Sequence, residues 1–202
     1  MYPHHPVLPV APADLHPTQL TVGYAEVTAK RAEWEQLGKK KRRQLLERHW
    51  FPGVLGPKRD AYIVDHHHLG LALLEEGVQS VPVMVLRDFS YLSPTEFWRA
   101  MEFYHWAHPY DAANQRRDYS AFPRSLPELQ NDPYRSLAAR VQSAGGYAKD
   151  AIPYAEFMWA GFLRERLKLR KDETPSAKLV ARAVTLAHSS EAGYLPGWSG
   201  EV

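Results

Sequence analysis

The stretch that most restricts the fold is Tyr62 to Asp88, YIVDHHHLGLALLEEGVQSVPVMVLRD, in which two apolar runs bracket a short helical pattern. Tyr62, Ile63 and Val64 read as a buried strand ending at Asp65, and His66, His67 and His68 fill the turn that follows. In LGLALLEEG, Leu69, Ala72 and Leu73 share one helical face, and Gly77 suits an exit through the left-handed conformation. Val81 to Leu86 reads as a second strand with Pro82 near its start, where a strand tolerates proline. The order is therefore strand, polar junction, helix, strand. The first amides of a helix have no partner within it and carry partial positive charge, so such a junction draws anions. An acid and three imidazoles at that point put proton-carrying groups beside an anion cradle. The competing reading is structural: an Asp here caps a helix, and histidines here bond to neighbouring backbone.

The flanking text sets the organisation. Met1 to Pro17 is punctuated by Pro3, Pro6, Pro9, Pro12 and Pro17 and reads as an extended, semi-ordered arm over residues 1–13, with His4 and His5 as surface residues. Leu20 to Tyr24 is expected as a strand. Ala25 to Gly38 is helical, with Val27, Trp34 and Leu37 inward, and KKKRRQLLERHW restarts a helix at Lys39. The run Lys39 to Arg43 opposes the helix dipole, so it is locally unfavourable and suits phosphate contact through Lys40 and Lys41, or else is a solvated helix start. FPGVLGPKRD reads as turns around the pair Val54 and Leu55. Ser93, Pro94 and Glu96 form a capping box ahead of an apolar stripe of Phe97, Met101 and Tyr104, and His105 and His108 are spaced to share that helix before Pro109 ends it. Ala112 to Asn131 is irregular, and its Arg116 and Arg117 are candidates for an anionic ligand, with surface salt bridges as the alternative. Helices are expected from Pro133 to Gly145, around Phe157, Trp159, Phe162 and Leu163, and from Ser176 to His188.

Composition narrows the chemistry. The absence of cysteine excludes disulfides and thiolate sites, leaving His and carboxylate as metal ligands. A formal net charge of +2 argues against a DNA-binding module acting through bulk charge. No apolar run approaches membrane-spanning length, and the N-terminus lacks a secretion pattern, so a soluble cytoplasmic protein is expected, with a homo-oligomer compatible with it.

YIVDHHHLGLALLEEGVQSVPVMVL resembles the core motif of the ParB/sulfiredoxin superfamily: apolar strand, Asp-Gly-His-His-Arg, helix, glycine, Val-Pro-Val strand. With HPTQLTVGYAEV, LGP, FW, DPYRSLAARV and EFMWAGFLR, the spread of matches over Asp14 to Arg166 resembles the ParB-like putative nuclease family. The resemblance implies an α+β core over 14–111 with a small mixed sheet, followed by a helical extension over 112–202 packed on it. By position Asp65 matches the motif acid, His67 and His68 its histidines, and Gln19 the early polar residue of a Pro-x-Gln segment. His66 stands in place of the motif glycine and Leu69 in place of its arginine, which removes a bidentate phosphate clamp.

Three functions compete. One is an enzyme on a phosphate-bearing ligand, a phosphotransferase or a phosphohydrolase/nuclease, with a nucleotide and Mg2+ or another divalent metal. Asp65 would orient a nucleophile or hold the metal, His67 or His68 would act as acid and base, and Gln19, His66, Lys40, Lys41, Arg116 and Arg117 would contact the ligand. A second is a metal-dependent enzyme on a non-nucleotide substrate, using Asp65, His66 and His68, although adjacent helical residues point ~100° apart and resist convergence. The third is a non-catalytic DNA-binding module.

Overall fold

The computed structural model describes residues 5–170 and 173–201; His4, expected at the surface, lies outside them. The chain divides into two units: one runs up to Thr21 and from Val27 to Gln130, the other comprises Val22–Glu26 and Asn131 onward. The loop after residue 111, grouped by sequence with the helical extension, thus belongs to the first unit as far as Gln130.

The first unit is α+β. Its sheet has five strands: β1 (Val7–Val10), β2 (Leu15–Pro17), β4 (Phe51–Leu55), β5 (Ala61–Ile63) and β6 (Val81–Asp88), in the order β1-β6-β4-β5-β2. β4 is parallel to β6 and antiparallel to β5, while β2 lies parallel to β5 and β1 antiparallel to β6. Two strands depart from the sequence reading. The proline-rich arm supplies β1, an edge position where prolines cost few ladder bonds, with Pro9 opposite Pro82. The FPGVL segment, read as turns, is the central strand β4. Pro52 keeps its carbonyl in use by accepting from the Val64 N–H at 2.9 Å, and the ladder to β6 shifts register between Gly53 and Val54. Gly53 is required there, because a Cβ would sit 2.7 Å from Val83 Cγ1 and 3.1 Å from the Tyr62 carbonyl oxygen.

Helices cover both faces of this sheet. α3 (His67–Glu75) lies on the face carrying Phe51 and Ile63, so close that a Cβ at Gly70 would be 3.3 Å from the Phe51 ring. It ends as the sequence predicts: Gly77 takes φ 66°, and Val78 N–H bonds back to Leu73 O at 3.0 Å, closing a Schellman motif. α4 (Pro94–Phe103) lies on the opposite face, where Phe97 and Met101 join Val54, Leu20, Phe89 and Phe122. The Ser93–Glu96 capping box is formed. α1 (Tyr24–Glu35) and α2 (Lys39–Arg48) precede β4, and α1 buries Val27 and Trp34 as expected. The expected strand at Leu20–Tyr24 shrinks to a two-residue β3 (Thr21–Val22), which pairs with β7 (Gln130–Asn131), because Tyr24 already starts α1.

The second unit is helical: α5 (Pro133–Ser143), α6 (Ala155–Arg166) and α7 (Ala177–Ala187) close on Leu137, Trp159, Phe162, Leu163 and Ala183. Tyr147 stacks on Trp159 at 4.1 Å and donates its hydroxyl to Ala138 O at 3.0 Å. Burial pushes that phenol well above its ordinary pKa. Two ion pairs fix α5 against α6: Asp132, the α5 cap, meets Arg164, and the buried Arg135 meets Glu156. Among the described residues no helix is long and apolar enough to cross a membrane.

Candidate functional site

The junction after β5 is built by backbone first. Thr18 Oγ donates to Ile63 O at 2.8 Å, tying the end of β5 to the segment after β2. The exposed Asp65 accepts from the His66 N–H at 2.6 Å, and His66 turns the chain with φ 65° and ψ 23°, the left-handed region. A glycine there would be unstrained; histidine is among the few other residues that visit this region with some frequency. The substitution of His66 for the motif glycine therefore preserves the turn at a modest conformational cost. α3 then starts at His67 with no side-chain cap, and its first backbone bond runs from Gly70 N–H to His66 O at 2.7 Å. Only His66 lies in the turn; His67 and His68, expected there, are the first two helical residues.

The three imidazoles have different surroundings. His67 is 4% exposed, and its Nε2 accepts the Thr18 backbone N–H at 3.1 Å. That bond commits the Nε2 lone pair, so the neutral ring carries its proton on Nδ1. His68 is half-buried in the first turn of α3. The His66 ring meets Phe51 edge-on with centroids 5.6 Å apart and His49 at 6.4 Å. His49, the exposed C-cap of α2, is a member of this neighbourhood that sequence reasoning missed, since β4 was not recognised and nothing local linked residue 49 to residue 66.

The Thr18–Gln19 segment organises the buried side. Thr18 is 2% exposed; besides its bonds to His67 and Ile63, its carbonyl accepts the His108 N–H at 2.8 Å. Gln19 is buried, donates from Nε2 to Thr21 O at 2.8 Å and bridges to His108 in parallel register. His108 reaches this position outside any helix: α4 stops at Phe103, and His105 takes φ 55°, so the expected shared helix face does not form.

Arg116 and Arg117 are engaged elsewhere. Arg116 donates from Nη2 to both carboxylate oxygens of Glu102, at 3.0 and 2.9 Å, and Tyr119 donates to the same carboxylate, which holds the phenol above its ordinary range. Arg117 lies 3.8 Å from Asp111, and both arginines line a surface cleft with Asp118, Ser120 and Ala121. Lys40 and Lys41 are exposed on the first turn of α2. Among the described residues no group of three or more His, Asp or Glu is placed to hold a metal ion, so Asp65, His66 and His68 do not form the expected triad.

Residues 8–165 match the family described as Putative ParB-like nuclease. The chain belongs to this family. The family match takes in DPYRSLAARV and EFMWAGFLR, which supply both partners of the Asp132–Arg164 and Arg135–Glu156 pairs, so in this ParB-like chain those segments carry packing of the helical unit. The crystal structure of protein Atu1540 from Agrobacterium tumefaciens is similar over 100% of both chains, with a TM-score of 0.90 and 42% identity. No curated protein matches the sequence.

Proposed function

We propose that this ParB-like chain binds a phosphate-bearing ligand at the start of α3 and acts on it as a phosphohydrolase or phosphotransferase. The observation that carries this reading is the uncapped start of a nine-residue helix immediately after an exposed carboxylate and a left-handed turn. Such a start favours negative charge through its oriented amides and dipole. In this reading Asp65 orients the attacking group, His68 carries the proton, and the start of α3 stabilises charge developing on the phosphoryl oxygens. His67 positions: its committed Nε2 favours a role in holding Thr18 and Gln19 beside the helix rather than in proton transfer.

Among the described residues no group of three or more His, Asp or Glu fits a protein cage for a divalent ion. Mg2+ arriving with the ligand's phosphates does fit, since it keeps several waters and needs one or two carboxylates, for which Asp65 is available. Bound there, it would neutralise phosphate charge. Calorimetric titration with ATP, ADP and CTP, with and without Mg2+, tests the reading in the wild type and in Asp65→Asn and His68→Ala. Saturable binding weakened in both variants supports it; silence with every nucleotide, together with no cleavage of an oligonucleotide, overturns it.

A further inference from the structure

α2 is a largely solvated helix whose inward side is limited to the half-buried Arg42, Leu45 and Leu46. Its sequence KKKRRQLLER buries no residue, and it holds six cationic residues against one acid. That local excess of +5 exceeds the formal +2 of the whole chain, so the remainder carries −3. The near-neutral total therefore hides a segregated charge, and the expectation that bulk charge excludes nucleic acid does not apply to this helix.

The contacts sort its cations. Arg42 is spent on the preceding helix: it lies 5.0 Å above the Trp34 ring and donates to Trp34 O at 3.2 Å and Glu35 O at 3.4 Å, closing the end of α1. Arg43 pairs with Glu47 at 3.4 Å. Among the described residues, Lys39, Lys40, Lys41 and Arg48 make no ion pair or hydrogen bond from their side chains. Three cations thus stand free at the start of α2 and one at its end, along ~15 Å of helix axis. Past that end come the exposed His49 and Trp50, and His49 touches the His66 ring of the junction.

We propose that α2 is a docking rail for a single nucleic-acid strand, which its free cations hold by the phosphates and lead to the start of α3. The inference rests on the junction reading above and narrows its ligand to a polymer. A strand is favoured over an anionic membrane because the helix's apolar pair, Leu45 and Leu46, is already half-buried in the protein, which leaves only a polar, cationic side for a bilayer to meet. It is favoured over a duplex because Trp50, 46% exposed, offers a ring on which an unpaired base stacks.

The test is fluorescence anisotropy of a short labelled single-stranded oligonucleotide across a salt series. Partners are the wild type, the triple variant K39Q/K40Q/K41Q, the charge-preserving K39R/K40R/K41R and Asp65→Asn, each checked for folding by circular dichroism. Four free cations predict a log–log salt slope near about −2.8, at ~0.7 per phosphate contact, and the glutamine variant should lose ~2.1 of it. Between about 50 and 200 mM salt the wild type should weaken ~50-fold and the glutamine variant only ~3-fold. The arginine variant and Asp65→Asn should keep the wild-type slope. An unchanged slope in the glutamine variant overturns the rail, as does tighter binding to duplex DNA or to phosphatidylserine vesicles. Lysine-dependent strand binding without any mononucleotide binding sinks the junction reading alone; mononucleotide binding with a lysine-independent strand slope sinks the rail alone.

Discussion

Replacing His67 by leucine removes the acceptor for the Thr18 amide while keeping an apolar side chain of comparable bulk. Both residues are buried, His67 4% and Thr18 2% exposed, so water does not replace the lost partner. A buried N–H left unpaired costs about 1–3 kcal/mol, and the change of shape in a packed site adds up to ~1 kcal/mol. Each kcal/mol lowers the melting temperature by ~2–4 °C in a chain of this size, so His67→Leu should melt roughly 2–16 °C below the wild type. His67→Gln, whose Oε1 can accept the same bond, should recover at least half of that loss. Thermal melting by circular dichroism measures both, and amide exchange at Thr18 should speed up in the leucine variant and not in the glutamine one. If His67→Leu melts with the wild type, or if both variants fall equally, the Thr18 bond does not hold the junction and the positioning role of His67 is wrong.

Gly53→Ala should destabilise by about 1–3 kcal/mol, read by urea denaturation, because its Cβ would press on Val83 Cγ1 at 2.7 Å in the central strand. Arg164→Met should cost about 3 kcal/mol or more in the same assay, since Asp132, 2% exposed, would keep a buried charge without its partner. Tyr147 has its folded pKa raised by burial, so its contribution is complete below the unfolded value of ~10 and is lost as pH climbs above it. Alkaline unfolding should therefore begin above pH ~10, and Tyr147→Phe should flatten that limb while losing ~1 kcal/mol at neutral pH. Lys40→Glu, at the second residue of α2, should raise stability by roughly 0.5–1 kcal/mol in thermal melts by easing the helix dipole; an equal or lower stability would contradict the view that the cluster is held against a folding cost.

The elements that declare themselves locally were legible. Ser93 with Pro94 and Glu96 fixes the start of α4, Asp132 with Pro133 that of α5, and Gly77 the exit from α3, since each depends on a few neighbouring residues. β4 and β1 were hidden for the opposite reason. Pro52 and Gly53 speak for a turn in isolation, and only the approach of Val83 and the Tyr62 carbonyl makes a central strand with glycine at that point sensible. The end of α4 depends on the φ of 55° at His105, which no spacing rule supplies. At the junction the motif singled out Asp65 and the three histidines, yet the different surroundings of each were unreadable. His66 spends itself on a left-handed turn and His67 on an amide 49 positions earlier, both consequences of tertiary contact. The arginines 116 and 117 looked available because their partners Glu102 and Asp111 are not helix neighbours of theirs.

The most direct test of the central claim is an amide NMR titration of the protein with ATP and Mg2+. Binding at the start of α3 predicts saturable shifts concentrated on His66, His67, His68 and Leu69, reduced in Asp65→Asn. Shifts confined to α2 or to the Arg116–Ala121 cleft, with residues 66–69 unmoved at saturation, would contradict it.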